Sequence, residues 1–234
     1  LKIRLFVKIW YYPVWVRILI AKIFAKSNRY SKKEILENIY LSEKIKKSDL
    51  SLASPLPDRY EVIKQSIKKT KNIRGILAEF GVFKGKTLEI IKSNVSNEDL
   101  VYGFDSFNGL PENWGEILPK GFFKTSIPKI KEKNVKLVVG DFKKTIPQFH
   151  KKKKIKYRFV HIDCDLYDST ILVLKYIVPK LSIGSVIIFD EYYGYPDFEN
   201  HEFKAFKDYL TKNKKRSFIP IFYSSHSVGF KVTD

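Results

Sequence analysis

From Gly75 onward the chain alternates short apolar runs with helical patterns, and the alternation stops only at its end. Runs near 75–80, 100–105, 135–139, 157–163 and 184–190 read as strands. Helical patterns lie near 86–94, 142–149, 168–180 and 200–213. Such alternation predicts a parallel sheet. The last two runs, 217–223 and 226–232, are separated by a short Ser-Ser turn with no room for a crossover helix, so they must pair antiparallel. The expected architecture is α/β and Rossmann-like: a seven-stranded, mostly parallel sheet with an antiparallel terminal hairpin, preceded by amino-terminal helices.

The length of 234 residues and a hydrophobic content of 44% suit one such domain with a real core and a small appendage. Boundaries at 1–57 for a helical arm and 58–234 for the sheet domain follow from the pattern. Ser31 to Lys47 reads as a charged helix with Ser31 as N-cap and Glu34 as its capping-box partner. Ser51 to Pro57 reads as a linker, and Asp58 to Lys69 as a helix leading into the sheet. The single cysteine, Cys164, excludes a disulfide framework and a cysteine-based zinc site. A cytoplasmic setting fits.

The net charge is +19, mostly from lysine. Such a surface attracts nucleic acid, anionic lipid or anionic glycans, or is simply a solvated basic face. Residues 1–26, LKIRLFVKIWYYPVWVRILIAKIFAK, are aromatic, aliphatic and basic. The longest uncharged run, Ile9 to Val16, is too short to span a bilayer, and no small-residue cleavage site follows. Leu5, Ile9, Val16, Ile20 and Ile23 roughly share a helical face that Pro13 should kink. Two readings stand: a helix lying on the cytoplasmic face of a membrane, or an arm that packs on the domain or pairs two copies of it. The absence of methionine, even at position 1, reads as a chain that begins after a trimmed or unrecorded segment.

The first strand of the alternation ends in Glu79-Phe-Gly-Val-Phe-Lys-Gly85. This is E-x-G-x-x-x-G rather than the dinucleotide fingerprint G-x-G-x-x-G. A carboxylate at position 79 would repel a pyrophosphate and suits a cofactor with an ammonium and a sulfonium, which points to S-adenosylmethionine. Gly81 and Gly85 let the backbone approach the ligand. Asp105, about 20 residues on at the end of the next strand, can accept hydrogen bonds from both ribose hydroxyls, with Ser106 beside it. Gly140-Asp141 ends the third strand, where the adenine edge is expected.

The fourth strand ends His161-Ile-Asp163-Cys-Asp165 and the fifth Phe189-Asp190-Glu191-Tyr192. As these strands are neighbours, Asp163, Asp190 and Glu191 should converge into an oxygen-rich site for Mg²⁺, Mn²⁺ or Ca²⁺. A divalent ion would lower the pKa of a bound hydroxyl and hold it in line with the sulfonium methyl. Asp163, also at the cofactor's edge, and Asp165 are the candidate bases. Asp165 and Asp168 alternatively cap the helix opened by Ser169-Thr170. His161 reads as a core histidine, and His201 as a residue that overhangs the site with a catalytic or substrate role. Ser106 to Asn134 is long enough to be a lid, with Trp114, Phe122 and Phe123 able to close over a substrate.

The segments AEFGVFKGKTLEII, VYGFDSFNGLPENW, VVGDF, FVHIDCDLYDSTILVLKYIVPKLSIGSVIIFDEYYGYP and HEFKAF resemble the macrocin O-methyltransferase family across residues 58–232. The D-S-F-x-G-L-P and D-x-D-x-Y-x-S-T blocks carry most of the specificity. The resemblance implies a class I methyltransferase that depends on S-adenosylmethionine and Mg²⁺ and methylates sugar hydroxyls of a glycosylated small molecule or glycan. It places the cofactor turn on Glu79, Gly81 and Gly85, the ribose carboxylate on Asp105, and the metal acids on Asp163, Asp190 and Glu191. Two positions depart from the family pattern: Glu191 replaces the second aspartate of a pair, and Lys86 replaces a second glycine. A nucleic-acid methyltransferase is the first rival, and the missing Asn/Asp-Pro-Pro-aromatic motif argues against it. A non-catalytic scaffold that keeps the fold is the second, opposed by the intact acidic set.

Overall fold

A computed structural model of the chain describes residues 32–115, 118–152, 155–195 and 197–234. The basic block 1–26 and the Ser31–Glu34 capping pair therefore lie outside the described side chains. In chain order the elements are α1 (Lys32–Lys47), β1 (Ser54–Pro55), α2 (Arg59–Lys69), β2 (Ile76–Phe80), α3 (Lys86–Ser93), β3 (Val101–Asp105), β4 (Val135–Val139), α4 (Phe142–Lys152), β5 (Tyr157–Ile162), α5 (Tyr167–Ile177), β6 (Leu181–Phe189), α6 (Glu202–Lys212), β7 (Phe218–Tyr223) and β8 (Val228–Val232). The sheet order is β1-β7-β8-β6-β5-β2-β3-β4. Strand β8 runs antiparallel to both β6 and β7, and every other pairing is parallel. This is the expected Rossmann-like, class I methyltransferase sheet.

The sheet has eight strands, not seven. The extra one comes from the expected linker: Ser54 and Pro55 pair with Phe222 and Tyr223 of β7. A residue before proline is held extended, and proline is tolerated at a sheet edge, so this stretch can form a strand despite reading as loop. Strand β6 starts at Leu181 rather than 184. Gly184 has φ +85° in mid-strand, and a Cβ there would lie 2.8 Å from Ile73. That glycine marks a close approach inside the strand and not its beginning.

Two apolar layers flank the sheet. One face packs Val62, Ile63 and Ile67 of α2 and Leu88 and Ile91 of α3 against Leu77, Phe159, Val186 and Ile188. The other packs Ile39 and Ile45 of α1, Ile146 of α4 and the buried residues of α5 and α6 against Ala78, Phe80, Val160, Ile162, Ile187 and Phe189. Successive strand residues alternate between these faces. Glu79 and His161 therefore fall on the α2–α3 face, where Asp190, just past the end of β6, meets His161 and Arg59. Asp58 caps α2, its Oδ1 accepting the Glu61 N–H at 2.9 Å, so α2 starts where expected and presents Arg59 as its first residue.

Candidate active site

Register brings the predicted acids into one row. Phe80 pairs with Phe104 on one side and Ile162 on the other, and Ile162 pairs with Phe189. The residue after each paired position is then Asp105, Gly81, Asp163 and Asp190 in turn, all at the carboxyl edge, where open α/β sheets bind ligands. Backbone bonds hold the row: the amides of Gly81, Asp163 and Asp190 donate to Phe104, Phe80 and Ile162 at 2.8–2.9 Å.

Gly81 has φ +95°, and a Cβ on it would sit 1.7 Å from the Asp163 carbonyl oxygen. The glycine thus serves the close passage of the β5 end, in addition to any approach of a ligand. Gly85 adopts φ +82° as the left-handed residue before α3. Asp105 Oδ2 accepts the amides of Val82 and Phe83, both at 2.8 Å, and Oδ1 accepts that of Phe107 at 2.7 Å. A carboxylate has about four acceptor positions. One position is left for a donor from a ligand. Ser106 Oγ accepts the Asn108 amide at 3.2 Å. The Gly140 amide donates to the Asp105 carbonyl at 2.9 Å. Asp141 opens α4, its Oδ1 taking the Lys143 amide at 2.8 Å.

On the α2–α3 face a chain of alternating charge runs through the site. Nδ1 of the fully buried His161 meets Glu79 Oε1 at 2.9 Å, and Nε2 meets Asp190 Oδ1 at 3.4 Å. Arg59 Nη1 donates to Asp190 Oδ2. Burial opposes charge on His161, but hydrogen bonds to Asp190 and Glu79 outweigh it and raise its pKa to about 10. Burial likewise opposes charge on Asp190, yet Arg59 and then His161 bring its pKa down to about 2. The second oxygen of Glu79, Oε2, is buried with no hydrogen-bond partner among the described residues.

At the remaining acids the same cations are outweighed: His161 and Arg59 pull Asp163 down and Arg59 pulls Asp165 down, but burial and neighbouring carboxylates prevail. Burial first and then Asp190 push the carboxyl of Asp163 well above its usual range, and Asp165 rises for the same reasons to about 7. Burial and the neighbouring Asp190, Asp165 and Asp163 do the same to Glu191. Sequence reasoning did not foresee Glu202, the fully buried first residue of α6, which burial, Asp165 and Asp163 also push up. Its oxygens accept the amides of Cys164 at 3.4 Å and Glu191 at 3.1 Å, tying the ends of β5 and β6 together. Its place in HEFKAF, one of the segments that carry the family resemblance, was the available signal.

Donor atoms of His161, Asp163 and Asp190 lie within 4.8 Å of one another, a spacing that could hold a metal ion. We do not count His161 as a ligand, since an imidazolium held between two carboxylates has no lone pair to give. Glu191, two residues past the end of β6, is not part of this tight group, which corrects the expectation that it completes the metal site. Helix α5 starts at Tyr167 with no side-chain capping bond, so neither Asp165 nor Asp168 caps it, contrary to the capping alternative. Cys164 is packed, its Sγ 3.5 Å from Thr170 Oγ1.

The long segment between β3 and β4 touches both halves of the edge. At the glycine turn, Phe123 packs edge-on to Phe83 at 5.4 Å, and Pro128 lies 3.5 Å from where a Cβ on Gly85 would be. At the other end, Trp114 packs edge-on against Tyr195 at 5.5 Å and His201 at 6.0 Å. His201 sits at the start of α6 with Nε2 3.2 Å from Asp197 Oδ2, and burial lowers its pKa. Phe122 stays partly exposed.

Residues 78–192 match the family model described as a methyltransferase domain. No curated protein matches the sequence significantly. Among solved structures, CalS11, described as a calicheamicin methyltransferase, is 18% identical, with 92% of this chain and 90% of that one aligned at TM-score 0.61. The O-methyltransferase NovP is 24% identical, with 76% and 81% aligned at TM-score 0.58. An O-methyltransferase from Bacillus cereus, in complex with SAH, is 12% identical, with 92% and 97% aligned at TM-score 0.53. At these identities the likeness is one of fold. Residues 78–192 are a methyltransferase domain, and the chain has the class I methyltransferase fold.

Proposed function

We propose that this chain is an S-adenosylmethionine-dependent O-methyltransferase that methylates a sugar hydroxyl of a glycosylated small molecule or glycan with the help of a divalent ion. The observation that carries the reading is the cluster of Asp163, Asp165, Asp190, Glu191 and Glu202 beside a glycine turn headed by Glu79. The sugar class is supported by the resemblance to the macrocin O-methyltransferase family. It is also supported by the description of CalS11 as a TDP-rhamnose 3′-O-methyltransferase.

The residues fit the cofactor. Glu79 offers a buried carboxylate oxygen with no hydrogen-bond partner among the described residues, which suits an ammonium. Asp105 keeps one acceptor position for a ribose hydroxyl, with Ser106, Gly140 and Asp141 lining the same edge. They also fit Mg²⁺ in donor chemistry, since Asp163 and Asp190 offer hard oxygens whose mutual repulsion a cation would relieve, while Glu191 stands outside that tight group. When bound, the ion would lower the pKa of the acceptor hydroxyl. Asp165 would take the hydroxyl proton; the cofactor, when bound, would supply the methyl group to the acceptor oxygen, its sulfur keeping the electron pair of the broken bond as a neutral thioether. Glu202 braces the two strand ends that carry the acids. The lid excludes water while Trp114 and His201 border the acceptor side.

Calorimetric titration of S-adenosylhomocysteine with and without Mg²⁺ tests the cofactor. Transfer of labelled methyl to a panel of nucleotide sugars and glycosides tests the acceptor. Absence of binding in both conditions would remove the reading.

A further inference from the structure

We propose that Arg59 is the resident counter-cation of the acid cluster, occupying on Asp190 the place a divalent ion must take, so that metal binding requires the guanidinium to leave. The inference rests on the metal-assisted reading above.

Asp190 has committed both oxygens, Oδ2 to Arg59 Nη1 and Oδ1 to His161 Nε2–H at 3.4 Å. His161 cannot easily give way. It is fully buried in strand β5, and its other nitrogen is tied to Glu79 at 2.9 Å. Arg59 can. It is the first residue of α2, its side chain is 27% exposed, and its long flexible stem reaches in from outside the sheet. Its Cζ stands 5.2 Å from the centre of the Tyr60 ring, a cation–π contact it can keep after releasing the carboxylate. A guanidinium supplies one charge and only donors, so it neutralises Asp190 without offering a coordination position to a hydroxyl. With Arg59 in place, Asp163 and Asp165 are relieved only in part, and Glu191 and Glu202 keep their repulsion. The exchange therefore replaces one charge with two and opens the site to the acceptor.

Mn²⁺ binding to the full chain, followed by electron paramagnetic resonance, tests this in wild type, Arg59→Met, Arg59→Lys and the double variant Arg59→Met/Asp190→Asn. Removing the competitor should tighten Mn²⁺ binding by roughly tenfold or more in Arg59→Met, and the double variant should lose the gain. Arg59→Lys, which cannot fork onto the carboxylate, should fall between. It carries the test by the same criterion if circular dichroism shows Arg59→Met unfolded. Wild type binding Mn²⁺ as tightly as the variants overturns the proposal and leaves metal assistance standing. No Mn²⁺ binding in any folded variant overturns both. Retained S-adenosylhomocysteine binding in the same samples would show that the cofactor reading survives either failure.

Discussion

The two halves of the carboxyl edge handle negative charge in opposite ways. At the glycine turn, Asp105 is surrounded by the amides of Val82, Phe83 and Phe107, so the backbone itself neutralises it and the turn is built before any ligand arrives. One strand pairing away, Asp163, Asp165, Glu191 and Glu202 repel one another, and Arg59 and His161 prevail over burial and repulsion only at Asp190. The first half is preorganised and the second holds unrelieved repulsion. Binding surfaces that need only shape can be finished by backbone geometry, whereas a site that must accept a cation or release a proton has to keep charges uncompensated.

The difference can be broken hardest on the acidic side. Asp165→Asn keeps the shape but removes the base, and should lower kcat by about 10²–10⁴-fold while leaving S-adenosylhomocysteine affinity unchanged; equal losses in both would place Asp165 in cofactor binding instead. Gly81→Ala attacks the join, since its Cβ would overlap the Asp163 carbonyl. It should destabilise the fold by about 3 kcal/mol or more and weaken both halves, read by urea denaturation. Asp105→Ala strikes the preorganised side, costing about 1–3 kcal/mol in cofactor affinity and a similar amount in stability from the orphaned amides.

The pH dependence sharpens the contrast further. Asp165, raised to about 7 by burial and Asp190, holds its proton more tightly in the folded than in the unfolded chain. Between about pH 4 and 7 the native state therefore binds more protons, and stability should fall as pH rises through that window. Denaturation midpoints measured across it should show the decline, and saturating Mg²⁺ should flatten it. The smallest effect belongs to the cover: Phe123→Ala should cost under about 1.5 kcal/mol of stability, with its main change in cofactor off-rate.

Much of the edge was legible because β-strand register is arithmetic: once five strands end in Asp105, Gly81, Asp163, Asp190 and Gly140, parallel pairing aligns them. What side chains do across the sheet was harder to read. Glu79 and His161 are 82 residues apart in sequence, and their pairing depends on β2 lying beside β5. Arg59 was invisible because a helix-opening arginine looks like surface charge until α2 is packed over Asp190. The linker at Ser54–Pro55 hid a strand because its partner, β7, comes more than 160 residues later.

One stretch of chain, 106–134, rests at once on Phe83 and Gly85 at one end of the edge and on Tyr195 and His201 at the other. With cofactor and acceptor bound as proposed above, this one connection would border both. Release of the two products would then share one step if its two ends move together, and a pre-steady-state burst of product would be the kinetic trace.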